Sequence, residues 1–218
     1  LRLIDEAEAV AIANDVRFGL GAGGDFVLQG IDGTGEIGGT LADGGAQLYD
    51  PQANTWTPTG PMTAQHAQGT SVRLLDGRVL VTGGIQISNT PQVLTSAEIY
   101  DPATNSWTAA ADLALPRYAH LLALLPDGQV AAVGGASIYE FASAPWAADH
   151  FAQQIELYDP QLDRWTITAE LALPVTYAEI VLLPDGRLWV TGGGASEDLA
   201  KAGANTWLIP PRVIQTNE

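Results

Sequence analysis

The chain has 218 residues, 25 acidic side chains against 9 basic ones for a formal net charge of −16, and no cysteine. That balance argues against nucleic acid or an anionic membrane as partner, because both need a positive face. The lack of cysteine excludes disulfides, cysteine-held metals and thiol catalysis, and no apolar run approaches the roughly 20 residues of a membrane span.

The chain opens on Leu1 without the basic-then-apolar pattern of a signal peptide, as a processed chain or a fragment would. Residues 1–14 (LRLIDEAEAVAIAN) stand apart from the rest of the chain and suit either a short helix or an outer strand. A repeat begins faintly at Val16. Phe26–Gly30 (FVLQG) sits where VLVTG sits later, as strand b, with Gly30 alone where a glycine pair is expected, and a Gly-rich stretch, Gly30–Gly45, leads into AQLYDPQANTW. The pattern is clearest at Leu74–Trp107, LLDGRVLVTGG followed by AEIYDPATNSW. It returns at Leu124–Trp165 and, in part, as LLPDGRLWVTGG at Leu182–Gly193. Trp56, Trp107, Trp165 and Trp207 serve as landmarks, and a period near 50 residues means an array of supersecondary units.

Each unit resolves into four short strands, a to d. In the second, strand a covers Thr70–Leu75 and Asp76-Gly77 makes a two-residue hairpin turn, glycine accepting φ > 0. Strand b is Arg78–Thr82, strand c Ala97–Tyr100, and strand d carries Trp107. Asp127-Gly128 and Asp185-Gly186 repeat the first turn. Strand b is apolar on successive residues (Val79-Leu80-Val81, Val130-Ala131-Ala132-Val133, Leu188-Trp189-Val190), so both faces are covered. Small antiparallel sheets buried on both sides and repeated along the chain describe the blades of an all-β propeller.

The glycine pair, the Tyr before Asp-Pro and the Trp six residues after that Asp resemble kelch repeats, over Val16–Ile209. The expected organisation is an N-terminal segment 1–14, a kelch-type β-propeller over 15–209 with four blades of four strands (15–60, 61–110, 111–169, 170–209), and a tail 210–218. The fourth unit shows no Tyr-Asp-Pro between Gly193 and Trp207. Kelch propellers usually close with six or seven blades, so the resemblance implies an incomplete ring. It also brings to mind secreted copper-radical oxidases of the galactose-oxidase kind, whose Tyr–Cys cross-link is impossible in a chain without Cys.

His66 and His120 are read as related positions just before strand a, with a structural role. Asp32-Gly33-Thr34-Gly35-Glu36 is a Gly-rich acidic loop in which Asp32 and Glu36 suit calcium; no other cofactor is expected. The main departure from the repeat is Ala136–Gln154, which holds Tyr139, Phe141, Trp146, His150 and Phe151. Loop aromatics at one end of a propeller are typical partner anchors; the same loop could instead cover a blade edge. The expected function is a non-catalytic binding or assembly module for a protein partner or neighbouring subunit. The style of the repeats, which is similar to exported bacterial kelch proteins, implies an extracellular or cell-surface setting. The alternatives are a portion of a secreted oxidase or carbohydrate-active enzyme, and a structural subunit of a larger complex.

Overall fold

The computed structural model describes residues 18–20, 26–30, 35–39, 46–50, 55–86, 88, 90–138, 150–171, 174–194 and 206–210. Residues 1–14 and 211–218 lie outside them. Among the described residues there are strands and turns but no α-helix, and so no helix long and apolar enough to cross a membrane.

The strands build four successive antiparallel sheets. The first holds five strands in chain order: β1 (Phe18–Leu20), β2 (Phe26–Gly30), β3 (Gly35–Gly39), β4 (Ala46–Asp50) and β5 (Thr55–Pro58). The second begins with β6 (Thr70–Arg73) and β7 (Val79–Thr82). It leaves the sheet for a small hairpin, β8 (Ile85–Gln86) and β9 (Gln92–Val93), and returns as β10 (Ala97–Asp101) and β11 (Ser106–Ala110). The third is β12 (Leu121–Leu124), β13 (Val130–Val133), β14 (Gln154–Asp159) and β15 (Arg164–Glu170). The fourth is β16 (Thr176–Leu182), β17 (Leu188–Gly194) and β18 (Thr206–Ile209). Strand a of the third sheet, β12, lies beside strands a of both neighbours, β6 and β16, so the first strands gather on a common inner side.

The continuous apolar runs of strand b are explained by the stacking. Side chains alternate across a strand, so Val130 and Ala132 pack against Val72, Leu80 and Ile99 of the second sheet. Ala131 and Val133 pack against Leu188, Val190 and Ile209 of the fourth. A third cluster joins Ala46 of the first sheet to Val79, Val81, Tyr100 and Trp107 of the second. The far face of the fourth sheet is uncovered, with Val181, Trp189 and Leu208 exposed, so the blades form an open arc.

The Asp-Gly turns join adjacent strands as expected, with φ of +90° at Gly77, +89° at Gly128 and +81° at Gly186. They are three-residue loops, however, not two. Leu74 N–H donates to Arg78 O, while Gly77 N–H donates back to Leu74 O. The type I turn therefore spans Leu74–Gly77, and the left-handed glycine adds the bulge that brings the chain back into register. Leu125–Gly128 and Leu183–Gly186 repeat the pattern, with Pro126 and Pro184 at the second turn position, where proline's fixed φ fits.

Three further expectations on register change. Phe26–Gly30 pairs with Gly35–Gly39, which pairs with Ala46–Asp50. It is strand a, not strand b, and Gly38-Gly39 of strand b stand where Val81-Thr82 stand in the second unit; a strand reading GEIGG carries too little β signal to separate from a loop. In the fourth sheet Trp207 pairs with Val190 and Ile209 with Leu188, as Glu98 pairs with Val81 and Tyr100 with Val79. Trp207 is therefore in strand c, not strand d. Leu208-Ile209-Pro210 stands where Ile99-Tyr100-Asp101 stands in the second unit, with tyrosine and aspartate replaced, which hid the equivalence. Finally, His66 corresponds to Arg117, not to His120, as the shared alignment of the Leu74 and Leu125 turns requires.

Candidate binding surface at the loop end of the blades

The segments that lead into strand a and the loops that join strand b to strand c meet at one end of the sheets. Isolated bridges link Ala67 to Ile85, Tyr118 to Ala136, and Ala136 to Phe151. The apolar cluster beneath them is Ala67, Ile85, Tyr118, Ala136 and Phe151. The long loop thus springs from a pinned base: Ser137 N–H donates to His150 O at 2.8 Å, and Ala152 N–H donates to Gly135 O at 2.9 Å. Phe151 is 8% exposed within this cluster, so it closes the loop's root and is not presented to a partner. His150 is half-buried beside it. Tyr139, Phe141 and Trp146 lie outside the described residues, between these two anchored ends.

A polar layer holds each lead-in segment to strand c of its own sheet. In the second sheet the Glu98 carboxylate, 1% exposed, accepts hydrogen bonds from the Thr63 and Ala64 amides at 2.9 to 3.0 Å. It also meets His66 Nε2 at 3.2 Å. Burial pushes this carboxyl upward, but His66 and the two amides outweigh burial and hold it below the usual carboxylate range. In the third sheet Glu156 is fully buried and accepts from the Ala114 amide at 2.7 Å and from Arg117 Nη2 at 2.6 Å. Arg117 also donates to the carbonyls of Gly134 and Gln154. Burial draws its guanidinium downward, and Glu156 supports the charged form. In the fourth sheet the same two positions hold Val175 and Trp207, so the ion pair is absent there.

His120 lies between sheets two and three. Its Nε2 is 2.8 Å from Thr82 Oγ1, and its Nδ1 is buried without a hydrogen-bond partner. Burial, then the nearby Arg117 and His66, holds this imidazole well below the ordinary histidine range, so it is neutral. The first glycine of each pair makes room at the same level. A Cβ on Gly83 would overlap the carbonyl oxygen of Arg117, and one on Gly134 would overlap that of Val175. The next blade's lead-in therefore crosses directly over the glycine, and Gly84 and Gly135 donate their amides to those same two carbonyls at 2.8 Å.

Nearest the common inner side, Gln68, Ala119 and Tyr177 occupy the same repeat position, each left-handed with φ of 55°, 51° and 52°. Ala119 N–H donates to Gln68 O, and Tyr177 N–H donates to Ala119 O, a backbone chain running from blade to blade. The Tyr177 hydroxyl reaches Gln68 Oε1 at 3.1 Å across the arc. This rim is a polar, partly exposed surface that sequence reasoning missed, because no residue type recurs at the three positions. The buried glutamates were legible in principle from the shared second residue of AEIYDP and IELYDP. Asp32 lies outside the described residues. Glu36 sits in β3 opposite Gln29 and Tyr49. Among the described residues no three of His, Asp and Glu gather as a metal-ligand set.

The comparisons with known proteins agree with this geometry. The Kelch motif family matches residues 67–114. The chain is 41% identical over 73 residues to Kelch-like protein 21 of Danio rerio, covering 34% of this chain and 11% of that protein. It is 31% identical over 150 residues to Kelch repeat and BTB domain-containing protein 13 of Homo sapiens, covering 69% of this chain and 29% of the relative. It is 26% identical to Alpha-scruin of Limulus polyphemus over 87% of this chain and 20% of that one. The chain thus spans less than a third of each of these relatives. The solved structure of YjhT superposes with a TM-score of 0.64 at 22% identity, covering 76% of this chain and 56% of that chain, a likeness of fold. The repeats are kelch repeats, and the chain is a kelch-repeat β-propeller.

Proposed function

We propose that the chain is a non-catalytic binding module that engages a protein partner through the loop end of its blades. The observation that carries this is the base of the 137–150 loop. Its two ends are fixed by backbone hydrogen bonds and by buried Phe151, while the segment between them carries Tyr139, Phe141 and Trp146. A loop anchored at its root and rich in aromatics has the composition of an interface anchor on a rigid scaffold. The kelch relatives support a module built to interact, and the acidic surface favours a partner with a basic or neutral face. An extracellular or cell-surface setting is part of the proposal. It is supported by the style of the repeats, and cell fractionation with an antibody to the chain tests it.

The test of the function is immobilised chain used as bait, wild type against Trp146→Ala. A partner retained by the wild type and lost by the variant at unchanged melting temperature is the expected result. A variant that binds as well as wild type, or that loses several degrees of stability with no change in binding, overturns the assignment of the loop.

A further inference from the structure

We propose that the segment Arg117-Tyr118-Ala119-His120 is a proton-operated clasp: a proton taken up by His120 frees the segment and, with it, the root of the third blade's long loop. Each residue of the segment ties down a different part of the loop end. The Arg117 guanidinium donates to Gly134 O at 2.9 Å, to Gln154 O and to the Glu156 carboxylate, so it joins the end of strand b to strand c. Tyr118 and Ala136 exchange backbone hydrogen bonds at 2.9 Å, which fixes the residue that follows the glycine pair. Ala119 carries the inner rim, accepting from Tyr177 N–H and donating to Gln68 O. His120 seats the segment between the second and third sheets. A shift of His120 is carried directly to the root, where Ala136 bridges to Phe151 and Ala152 N–H donates to Gly135 O.

The seat admits a neutral ring and opposes a charged one. His120 is 3% exposed. A Cβ on Gly83 would lie 3.0 Å from His120 Cε1, and one on Gly135 would lie 2.7 Å from His120 Cβ, so the residue is wedged between the glycine pairs of two sheets. Thr70 Oγ1 donates to the His120 carbonyl at 2.7 Å. The ring meets Thr82 Oγ1 through Nε2, a contact that a neutral imidazole makes in either tautomer, while Nδ1 is buried without a partner. A second ring proton would leave an N–H donor without an acceptor and a charge out of water, and both are costly. The surrounding groups supply no counter-ion. Arg117 of its own segment and His66 of the second sheet's lead-in both oppose a positive ring. Of the two buried carboxylates, Glu98 is taken by His66 and the Thr63 and Ala64 amides, and Glu156 by Arg117 and the Ala114 amide. The second sheet's strands hold His120 through the neutral Thr70 and Thr82, and the fourth sheet's lead-in reaches the segment through the Tyr177 backbone.

The repeat makes this ring an exception. The aligned turns put Gly69 of the second sheet and Ala178 of the fourth at the position of His120. The titratable side chain therefore stands only in the third blade among these three, and that blade carries the long loop. Histidine is the side chain whose ordinary titration falls between neutral and mildly acidic pH. In the closed segment burial, then Arg117 and His66, holds the ring well below that range, whereas an opened segment returns it to about 6.5. Below that pH the open form binds the extra proton, so opening gains about tenfold per pH unit and on the order of thirtyfold between about pH 7.5 and 5.0. The inference rests on the loop reading given above only for its consequence, that a partner held near neutral pH is released in acid.

The test is amide hydrogen exchange of the full chain without any partner, at about pH 7.5 and 5.0, corrected for the intrinsic rate. Tyr118, Ala136 and Ala152 report the clasp and the root, while Ala131 and Val133 of β13 report the blade. The root amides should lose protection on the order of thirtyfold on acidification. At both pH values they should exchange faster than the β13 amides, because the clasp opens while the blade stays folded. His120→Gln, and independently His120→Ala, which installs the fourth sheet's own residue, should remove most of the pH effect. Root protection that is unchanged by acid overturns the proposal. So does root protection equal to that of β13, which would mean that only global unfolding exposes these amides. So does a fall that survives in both variants, which would assign it to His66 or His150. Where a variant fails to fold, the wild-type ring decides: a His120 NMR signal that titrates near its ordinary pH while the root amides stay protected also overturns the clasp. No partner enters these measurements, so their failure leaves the Trp146→Ala test of the loop untouched, and failure of that test leaves the clasp standing.

Discussion

Glu98 and Glu156 show how a charge is held inside a β-rich protein. Each lies two residues before the strand c tyrosine and is buried, and each receives backbone amides from the segment leading into its own sheet. The partner beside it differs, His66 in one blade and Arg117 in the other. Removing one partner of a buried pair leaves the other uncompensated, at a cost of about 3–5 kcal/mol, whereas replacing both with apolar groups of similar volume is often nearly neutral. Arg117→Ala should therefore lower unfolding stability by about that amount in urea titrations. Arg117→Met with Glu156→Leu should cost much less than the sum of the two single changes. The fourth blade, with Val175 and Trp207 at these positions, already carries the apolar version. His120 gives a second test at this scale. Its native pKa is depressed, so below about pH 6.5, where an unfolded histidine takes up a proton, the unfolded chain binds more protons than the native one. Stability from this group is whole above about pH 6.5 and falls as pH drops below it, by at most about 1.4 kcal/mol per pH unit. Urea midpoints at pH 7.5 and 5.5 should differ more for the wild type than for His120→Gln.

The turns and aromatic strand ends were the most legible elements, because their chemistry is local. In all three Asp-Gly turns the aspartate accepts a hydrogen bond from the amide two residues on: Arg78, Gln129 and Arg187, at 3.0 to 3.2 Å. Asp127→Ala should cost about 1 kcal/mol, the net worth of one such bond. Gly128→Ala should cost at least as much, because φ of +89° is strained for any residue with a Cβ. Thermal melts of both variants check this. The strand c tyrosines and strand d tryptophans were likewise foreseeable as packing residues. Tyr100 and Trp107 lie with ring centroids 5.1 Å apart, Tyr158 and Trp165 5.0 Å apart. Each tyrosine hydroxyl donates to the left-handed residue of the following turn, Asn105 or Asp163. Register failed where the residues differ within a geometry that repeats. Gly35–Gly39 has Ile37 as its one strand former, and Ile209-Pro210 replaces the diagnostic tyrosine and aspartate, so in both places hydrogen-bonded pairing, not composition, defines the strand. The rim of Gln68, Ala119 and Tyr177 shares only a backbone conformation, which residue types do not report.

At the scale of the molecule the blades are a stack in which each sheet packs its apolar faces against its neighbours, so stability is largely a sum of sheet terms and interface terms. The third sheet is buried on both faces, and its strand b residues Val130 to Val133 are each 0% exposed. The fourth is covered on one face, lacks the buried ion pair, and has no described strand outside β18. Opening it alone sacrifices one interface, whereas opening the third sacrifices two. Amide hydrogen exchange, which resolves such local openings, should therefore rank the blades. Amides of β17 and β18 should exchange through a partial opening, at free energies well below the global value, while those of β13 and β14 should approach it. Leu80→Ala, in the interface of sheets two and three, should cost about 2–5 kcal/mol as a buried large-to-small change. Val181→Ala, at the position of Val72 but in water, should cost under about 0.5 kcal/mol in the monomer. Equal protection of the third and fourth blades in a dilute monomer would mean that the arc is closed by contacts other than those between its sheets.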